Sequence, residues 1–427
     1  MAYVLGIDIG GTHVTAAASR LVDGAWKRPA PIRLRGDTDE APAVLHVGPD
    51  GGLTVGDPAE RGPVLRPGVV AREFAGRIGA DAPVLLRGER WSPQRLTAIV
   101  ARRVTDLIRS REGDLPVRVV LAHPATFTAH HVSALRAALA DVGLAAEPLP
   151  EPVLAAEGHA ARGGKGAPAL AVLTVGGTGY EASVVTRTNP ITYVVRATRT
   201  GAHQIGGADL DEALAQHALE QLRKEIGALD PADERELRIL HDLRAECRYT
   251  REQLSHADEA EIILPLHPGE IRLTVTRTQL DQLIRPLLDH PAATLARVVA
   301  SAGVPPHHLG GILLTGGVAH TPLLATLVTG HLPGVTALPP GGHTLVAEGA
   351  AAVAAQLAAG LHDSPPPGGR GRAVWEPEPG QEPSVLPAPA PGNRAPLPDP
   401  PPRPPVKIST PDLPGRRRTR KNSTHIS

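Results

Sequence analysis

The stretch "AYVLGIDIGGTHVTAAA", residues 2–18, decides the fold. It sets an apolar run, one acid (Asp8), a glycine pair (Gly10, Gly11) and Thr12 before a second apolar run. Burying a carboxylate without a partner is costly, so Asp8 at the end of a buried strand implies a partner. A strand, a Gly-Gly-Thr turn and a second strand from Val14 would leave backbone N–H groups facing an open loop. Such a loop holds anionic oxygens, and a nearby acid can hold the metal that accompanies them. An ordinary hairpin in which Asp8 caps the turn is the plain alternative.

The pattern returns in "LAVLTVGGTGYEASVV" (Leu170–Val185), again strand, Gly/Thr turn and strand. Two such loops facing each other across a cleft would grip a polyphosphate from both sides, with a metal between them. A third glycine pair, in "LLTGGVAHTPLL" (Leu313–Leu324), follows a strand and precedes a helix. There the backbone can approach a flat ligand closely. A fourth, in "HQIGGADLDEAL" (His203–Leu214), opens a helix with Asp209 in its first turn. One glycine pair means little, but four in order along the chain form a signature.

Composition narrows the classes. The 427 residues carry 44 Lys+Arg against 44 Asp+Glu, so no global basic field exists for nucleic acid. One cysteine, Cys247, excludes a disulfide framework and a cysteine-based zinc cluster, and reads as a small packed residue. No basic region and apolar core precede Tyr3, and no apolar run nears the about 18–20 residues that cross a bilayer. A cytoplasmic protein without a transmembrane segment is expected. From Asp363 onward proline dominates, as in "PAPAPGNRAPLPDPPPRPP", and the end carries the basic run "GRRRTRK". A disordered tail of polyproline character is expected there, a candidate contact for a protein partner.

Before Gly360, strands alternate with helices. "PVRVVLAHP", "ALAVLTVGG", "YEASVVTRT" and "GGILLTGG" read as strands. Helical periodicity runs through residues 92–110, 128–143, 207–227, 234–255, 277–303 and 344–360. This argues for an α/β fold of mixed sheets covered by helices. Residues 35–92, rich in Gly and Pro, do not separate into loops and strands. His130 and His131 are expected on a helix surface, and "PPHHLG" (Pro305–Gly310) as a loop.

Together these residues resemble the nucleotide-binding domain of the seventy-kilodalton heat-shock chaperones, the Hsp70 family of DnaK type. The likeness runs from about Ala2 to Gly360. It rests on "GIDIGGT", "HPATF", "PLPEPVLAA", "VLTVGGTGYE", "IGGADLD", "RAECRYTREQLS", "LTVTRTQLDQLI" and "ILLTGGVAHTPLL" followed by "EGAAAVAA". It implies an actin-like ATPase fold, a duplicated ribonuclease-H-like architecture of two lobes. The expected boundaries are 1–362 for the domain, with lobe I over about 1–167 and lobe II over about 168–360. A helical subdomain is expected over about 206–288, and the tail over 363–427. The tail begins where the family's interdomain linker would sit, so its substrate-binding β-domain and helical lid are expected to be absent.

The resemblance also implies ATP or ADP with Mg²⁺ in the cleft. Asp8 matches the acid that holds Mg²⁺ through water, and Glu181 stands where the family has a metal-side aspartate. Gly10, Gly11 and Thr12 match the first phosphate loop, with Gly11 replacing a family threonine and His13 an asparagine; Gly176, Gly177, Thr178 and Gly179 match the second. Arg72 falls where the family has its catalytic lysine. Glu151 matches the glutamate that helps to position or deprotonate the attacking water; the plain alternative is a turn cap before Pro152. Gly207, Ser255, Gly316, Gly317 and His320 match positions near ribose and adenine.

Several positions depart from the family pattern. Its second catalytic aspartate is Thr174 here, and "GGTG" stands where "GGGT" is expected. The adenine-stacking arginine becomes His320 and its neighbouring serine Val318. A glutamate that contacts adenosine becomes Arg248, and the aspartate before the last helix becomes His343. A guanidinium at Arg72 does not place water as an ammonium does. Removing one electrostatic element commonly costs about 10²–10³-fold in rate. The expected function is therefore nucleotide-dependent switching with weak hydrolysis, in a chaperone-type or stress-related role. Two alternatives stay open: a pseudo-ATPase scaffold that recruits partners through the tail, and a sugar kinase of the actin/hexokinase superfamily. One cysteine and the segments "IGGADLD" and "RAECRYTREQLS" argue against the kinase.

Overall fold

The structure is a computed structural model and describes residues 1–48, 50–56, 68–164, 166–189, 192–201, 205–226, 233–266 and 269–360. The expectations for the tail and for His203 lie outside these residues.

The chain opens with strands β1 (Tyr3–Ile9) and β2 (His13–Val22), paired antiparallel from Tyr3↔Arg20 to Ile9↔Val14. Helix α1 (Pro93–Glu112) follows, started by Pro93 after Ser92 and stopped by Gly113 at φ 90°. Next come β3 (Val119–His123), α2 (Ala129–Asp141), β4 (Glu147–Pro150) and α3 (Glu151–Ala161). The first sheet has the order β4-β3-β1-β2, with β3 parallel to β1 and short strands along the far edge of β2.

The second half repeats the plan. Strands β5 (Ala169–Val175) and β6 (Tyr180–Asn189) pair antiparallel from Ala169↔Thr186 to Val175↔Tyr180. They are followed by β7 (Thr192–Thr200), α4 (Gly207–Gln221), α5 (Glu234–Gln253), and the hairpin of β8 (Glu259–Leu266) and β9 (Gly269–Thr276). Then come α6 (Arg277–Ala302), β10 (Leu309–Thr315), α7 (Pro322–His331) and α8 (Leu345–Ala358). The second sheet runs β7-β6-β5-β10, with β10 parallel to β5. Each sheet is thus built on a hairpin whose first strand takes a parallel neighbour.

Period-2 alternation explains why β1 and β5 are apolar on both faces. On β1, Tyr3, Leu5, Ile7 and Ile9 join one core with α1 and α2, while Val4 faces the other way. On β5, Ala169, Ala171, Leu173 and Val175 join the core beneath α4–α7, while Leu170 and Val172 join Val4. That shared layer also takes Leu154 of α3 and Val346, Ala350 and Val353 of α8, so these helices lie between the sheets. Small residues set this spacing. A Cβ on Gly6 would lie 2.2 Å from the Ala347 carbonyl oxygen, and one on Gly349 would lie 1.7 Å from that of Leu154. Backbone cannot yield to such contacts. Across the same layer, Arg162 grips Glu348 through Nε (2.9 Å) and a terminal nitrogen (2.5 Å).

The helices read from periodicity are present, with α6 continuing through Pro286 and Pro291. One run differs: residues 207–227 form α4 and a separate short helix, Arg223–Ile226, broken at Leu222. Residues 35–92 hold short strands at Glu40–Pro42, Leu45–Val47, Leu53–Val55, Val70–Ala71, Val84–Leu86 and Glu89–Trp91. "PPHHLG" includes a single 3₁₀ turn, Pro306–His308.

Candidate functional site

Both hairpins end in matching turns. After the ladder pairs Ile9↔Val14 and Val175↔Tyr180, Gly10 N–H donates to His13 O (2.9 Å) and Gly176 N–H to Gly179 O (2.8 Å). The turns meet reciprocally. A Cβ on Gly11 would lie 2.4 Å from Thr178 Oγ1, and one on Gly177 would lie 2.3 Å from Thr12 Cγ2. Each threonine therefore sits over the other turn's glycine, and a side chain at either glycine would wedge the hairpins apart.

The remaining glycine pairs close in on the second turn. Gly207 and Ala208, at the start of α4, donate to the carbonyls of Gly176 (2.9 Å) and Gly177 (2.8 Å). Asp209 accepts from the Gly206 amide at 2.8 Å and closes the helix start. Gly316 has φ 85°, and a Cβ there would lie 2.3 Å from the Val175 carbonyl oxygen. Only glycine lets β10 turn this tightly onto the end of β5.

Between the turns lies a cavity of about 510 Å³. Its lining includes Asp8, Glu151, Glu181, all eight residues of the two turns, Gly207, Ser255, Gly316, Gly317 and His320. The structure thus brings together every site residue expected from sequence except Arg72. That residue is exposed, after the short strand Val70–Ala71, and does not line the cavity; its neighbours Ala75, Gly76 and Ile78 do.

Of the six carboxylates that line the cavity, Asp8, Glu151 and Glu181 are the ones most crowded by protein. Asp8 shows a small surface to the cavity, yet protein crowds around it and burial raises its pKa to about 7. Glu151, the first residue of α3, is pushed well up by burial and then by the charges of Asp8 and Glu181. Glu181 is 7% exposed, and burial raises its pKa despite four donors that stabilise its charge. Among the described residues no group of three or more acids, histidines or cysteines is placed to ligate a metal ion directly, so a divalent cation here would be one that keeps its own waters. The cavity's two arginines are already engaged: Arg251 with Asp211 at 2.6 Å, and Arg248 with Asp211 at 3.9 Å. Phosphate charge here would meet turn amides and a cation.

The acids are not placed symmetrically. In the first hairpin Asp8 on β1 faces Thr15 on β2; in the second Thr174 on β5 faces Glu181 on β6. The acid thus lies on the first strand of one hairpin and on the second strand of the other. Thr174, where the family pattern has aspartate, shares a hydroxyl hydrogen bond of 2.7 Å with Thr315 on β10.

Three histidines of the lining lie near one another. His256 and His320 have ring centroids 6.1 Å apart, and His343 lies near enough to join His256 in lowering the His320 pKa, after burial. His256, Asp211 and Thr126 are cavity residues that sequence reasoning passed over, because nothing in local spacing brings α4, α5 and the β3–α2 loop to one place. His131 lies on the surface of α2, as expected, and also closes the helix start by accepting from the Thr128 amide (3.1 Å). Cys247 is fully buried. Among the described residues, no helix is long and apolar enough to cross a membrane.

Comparison with known proteins places this geometry. A family model described as "Hsp70 protein" matches residues 70–364. The protein named "Chaperone protein DnaK" from Elusimicrobium minutum is 25% identical over 338 residues, 78% of this chain and 54% of that one. Its namesake from Thermosipho melanesiensis is 25% identical, covering 76% of this chain and 54% of its own. That of Cenarchaeum symbiosum is 24% identical, covering 77% and 50%. The chain thus spans about half the length of the curated relatives it matches. It belongs to the Hsp70 family and carries that family's actin-like ATPase fold.

Proposed function

We propose that the chain binds ATP and ADP with Mg²⁺ between its two glycine turns and acts as a nucleotide-dependent switch that hydrolyses slowly. The observation that carries this reading is the reciprocal seating of Thr12 over Gly177 and Thr178 over Gly11, at a cavity that also holds Asp8 and Glu151. Asp8 and Glu151 would hold the cation through its waters, and the cation would supply charge neutralisation at the phosphates. Turn amides would orient the phosphates, while Ser255, Gly316, Gly317 and His320 would bound the nucleoside. Glu151, kept protonated more readily than an ordinary glutamate, is suited to exchange a proton with water beside it.

Slow hydrolysis follows from two positions. Arg72 lies outside the cavity lining, and Thr174 spends its hydroxyl on Thr315. The same positions favour a second reading, in which nucleotide is bound and exchanged without turnover and a partner reads the bound state. A chaperone-type role, a cytoplasmic setting and a partner contact through residues 363–427 belong to this proposal. So do the lobe boundaries near residues 167 and 168.

Calorimetric titration with ATP and ADP, with and without Mg²⁺, tests binding; single-turnover hydrolysis tests chemistry. One Mg²⁺-dependent site with slow turnover is the expected result. A rate equal to that of an intact DnaK would overturn slow hydrolysis, and phosphorylation of a hexose would replace the switch with a kinase.

A further inference from the structure

The β3–α2 loop, Pro124–Thr128, is held rigidly at both ends. His123 Nδ1 donates to the Pro124 carbonyl at 2.8 Å. The His123 ring stacks on Phe127 (5.5 Å, 9°), and Phe127 stacks on His131 (5.1 Å, 25°), which in turn caps α2. Between these pins the loop turns three donors onto one acid of the opposite sheet. Ala125 N–H donates to Glu181 Oε1 at 3.1 Å. Thr126 N–H (3.1 Å) and Oγ1–H (3.2 Å) donate to Oε2. Ser183 Oγ, on β6 itself, gives Oε1 a fourth donor at 3.4 Å.

A carboxylate offers about four acceptor positions. At Glu181 three donors from the loop occupy both oxygens at 3.1–3.2 Å, with Ser183 Oγ, which is closer to Thr198 Oγ1 at 2.9 Å, a weaker fourth. The side chain is therefore committed to the loop on both oxygens, although its charge still reaches Glu151. From its place on β6, opposite Thr174, the Glu181 carboxyl reaches the first sheet's loop.

We propose that Glu181 and Thr126 form the closing contact across the nucleotide cavity, acting as positioning residues for bound nucleotide and not as cation ligands. The contact joins β6 of the second sheet to the stiffened loop of the first, beside the paired turns. Thr126 is specific to this task, since Thr128 caps α2. The inference rests on the nucleotide reading above, and it revises the expectation that Glu181 serves the metal.

The test is a double-mutant cycle of Thr126→Val and Glu181→Gln, with Thr126→Ser as the conservative control. Release of a fluorescent ADP, the Mg²⁺ concentration at half-maximal nucleotide binding, and urea unfolding without ligand are measured for each. Each single variant is expected to release ADP about ten times faster, the double variant no faster than Glu181→Gln, and Thr126→Ser within about twofold of the parent. The Mg²⁺ midpoint should stay within about twofold throughout. A Mg²⁺ midpoint raised about tenfold by Glu181→Gln, with release unchanged in Thr126→Val, would show a cation ligand and overturn the proposal. Additive effects on release would do the same. If the parent binds no nucleotide, the reading of the cavity fails; the contact is then judged by unfolding alone, where additivity overturns it and non-additivity upholds the closing contact.

Discussion

Thr12 sits on Gly177: a Cβ on that glycine would lie 2.3 Å from the threonine's Cγ2, closer than real side chains approach. Gly177→Ala should therefore part the two hairpins. The expected outcome is a loss of nucleotide affinity of about tenfold or more, with overpacking costing about 1–3 kcal/mol of stability. Thr12 is the flexible partner, so Thr12→Gly in the same chain should recover part of the stability. Denaturant unfolding and calorimetry on the three variants check this.

Asp8 makes the ligand-free protein sensitive to pH. Its pKa rises from 3.8 to about 7, so between those values the folded state holds the proton more tightly than the unfolded chain. Stability therefore falls as pH rises from about 4 to 7, by a few kcal/mol at most. Glu151, shifted the same way, extends the trend upward. Asp8→Asn should flatten the slope of unfolding free energy against pH and raise the melting temperature at pH 8. Because a cation must displace these protons, Mg²⁺-dependent binding should strengthen from pH 6 to pH 8 in the parent and less steeply in the variant, where Glu151 still titrates.

Glu151 and Arg72 should separate kinetically. Glu151 lines the cavity at the start of α3, whereas Arg72 is exposed and outside the lining. In single-turnover assays Glu151→Gln should slow hydrolysis by about 10²-fold, within the usual range for a general base. Arg72→Ala should change the rate less than about twofold. A large loss in Arg72→Ala would show that its loop reaches the phosphates.

Arg162 and Glu348 tie α3 to α8 with side chains 30% and 5% exposed. Arg162→Ala leaves a buried carboxylate that still accepts from Thr344 Oγ1, at 2.8 Å, but has lost its guanidinium. A loss of about 3–5 kcal/mol in urea unfolding is expected, recovered in large part when Glu348→Gln is added.

The hairpins were legible because their signal is local. Apolar strands, an acid and a Gly/Thr turn occupy one short window, and its repetition at Leu170–Val185 exposed the duplication. Helices with long apolar periodicity, such as α6, were equally plain. Three features were not legible, each because it depends on distant parts of the chain. Arg72 sits among short strands whose pairing, Val70 with His46 and Ala71 with Leu45, has no periodic signature. Thr126 gains its role only when its loop meets Glu181, 55 residues away in sequence. The opposite placement of acid and threonine in Asp8↔Thr15 and Thr174↔Glu181 appears once strand register is known.

The central claim is that the paired turns enclose the phosphates of one nucleotide. Calorimetric titration of the intact chain with ATP in excess Mg²⁺, repeated on Gly11→Val, tests it most directly. The account expects one nucleotide per chain, weakened by EDTA, and no measurable heat of binding for Gly11→Val although that variant stays folded. Undiminished binding by a folded Gly11→Val, or no binding by the parent, would contradict it.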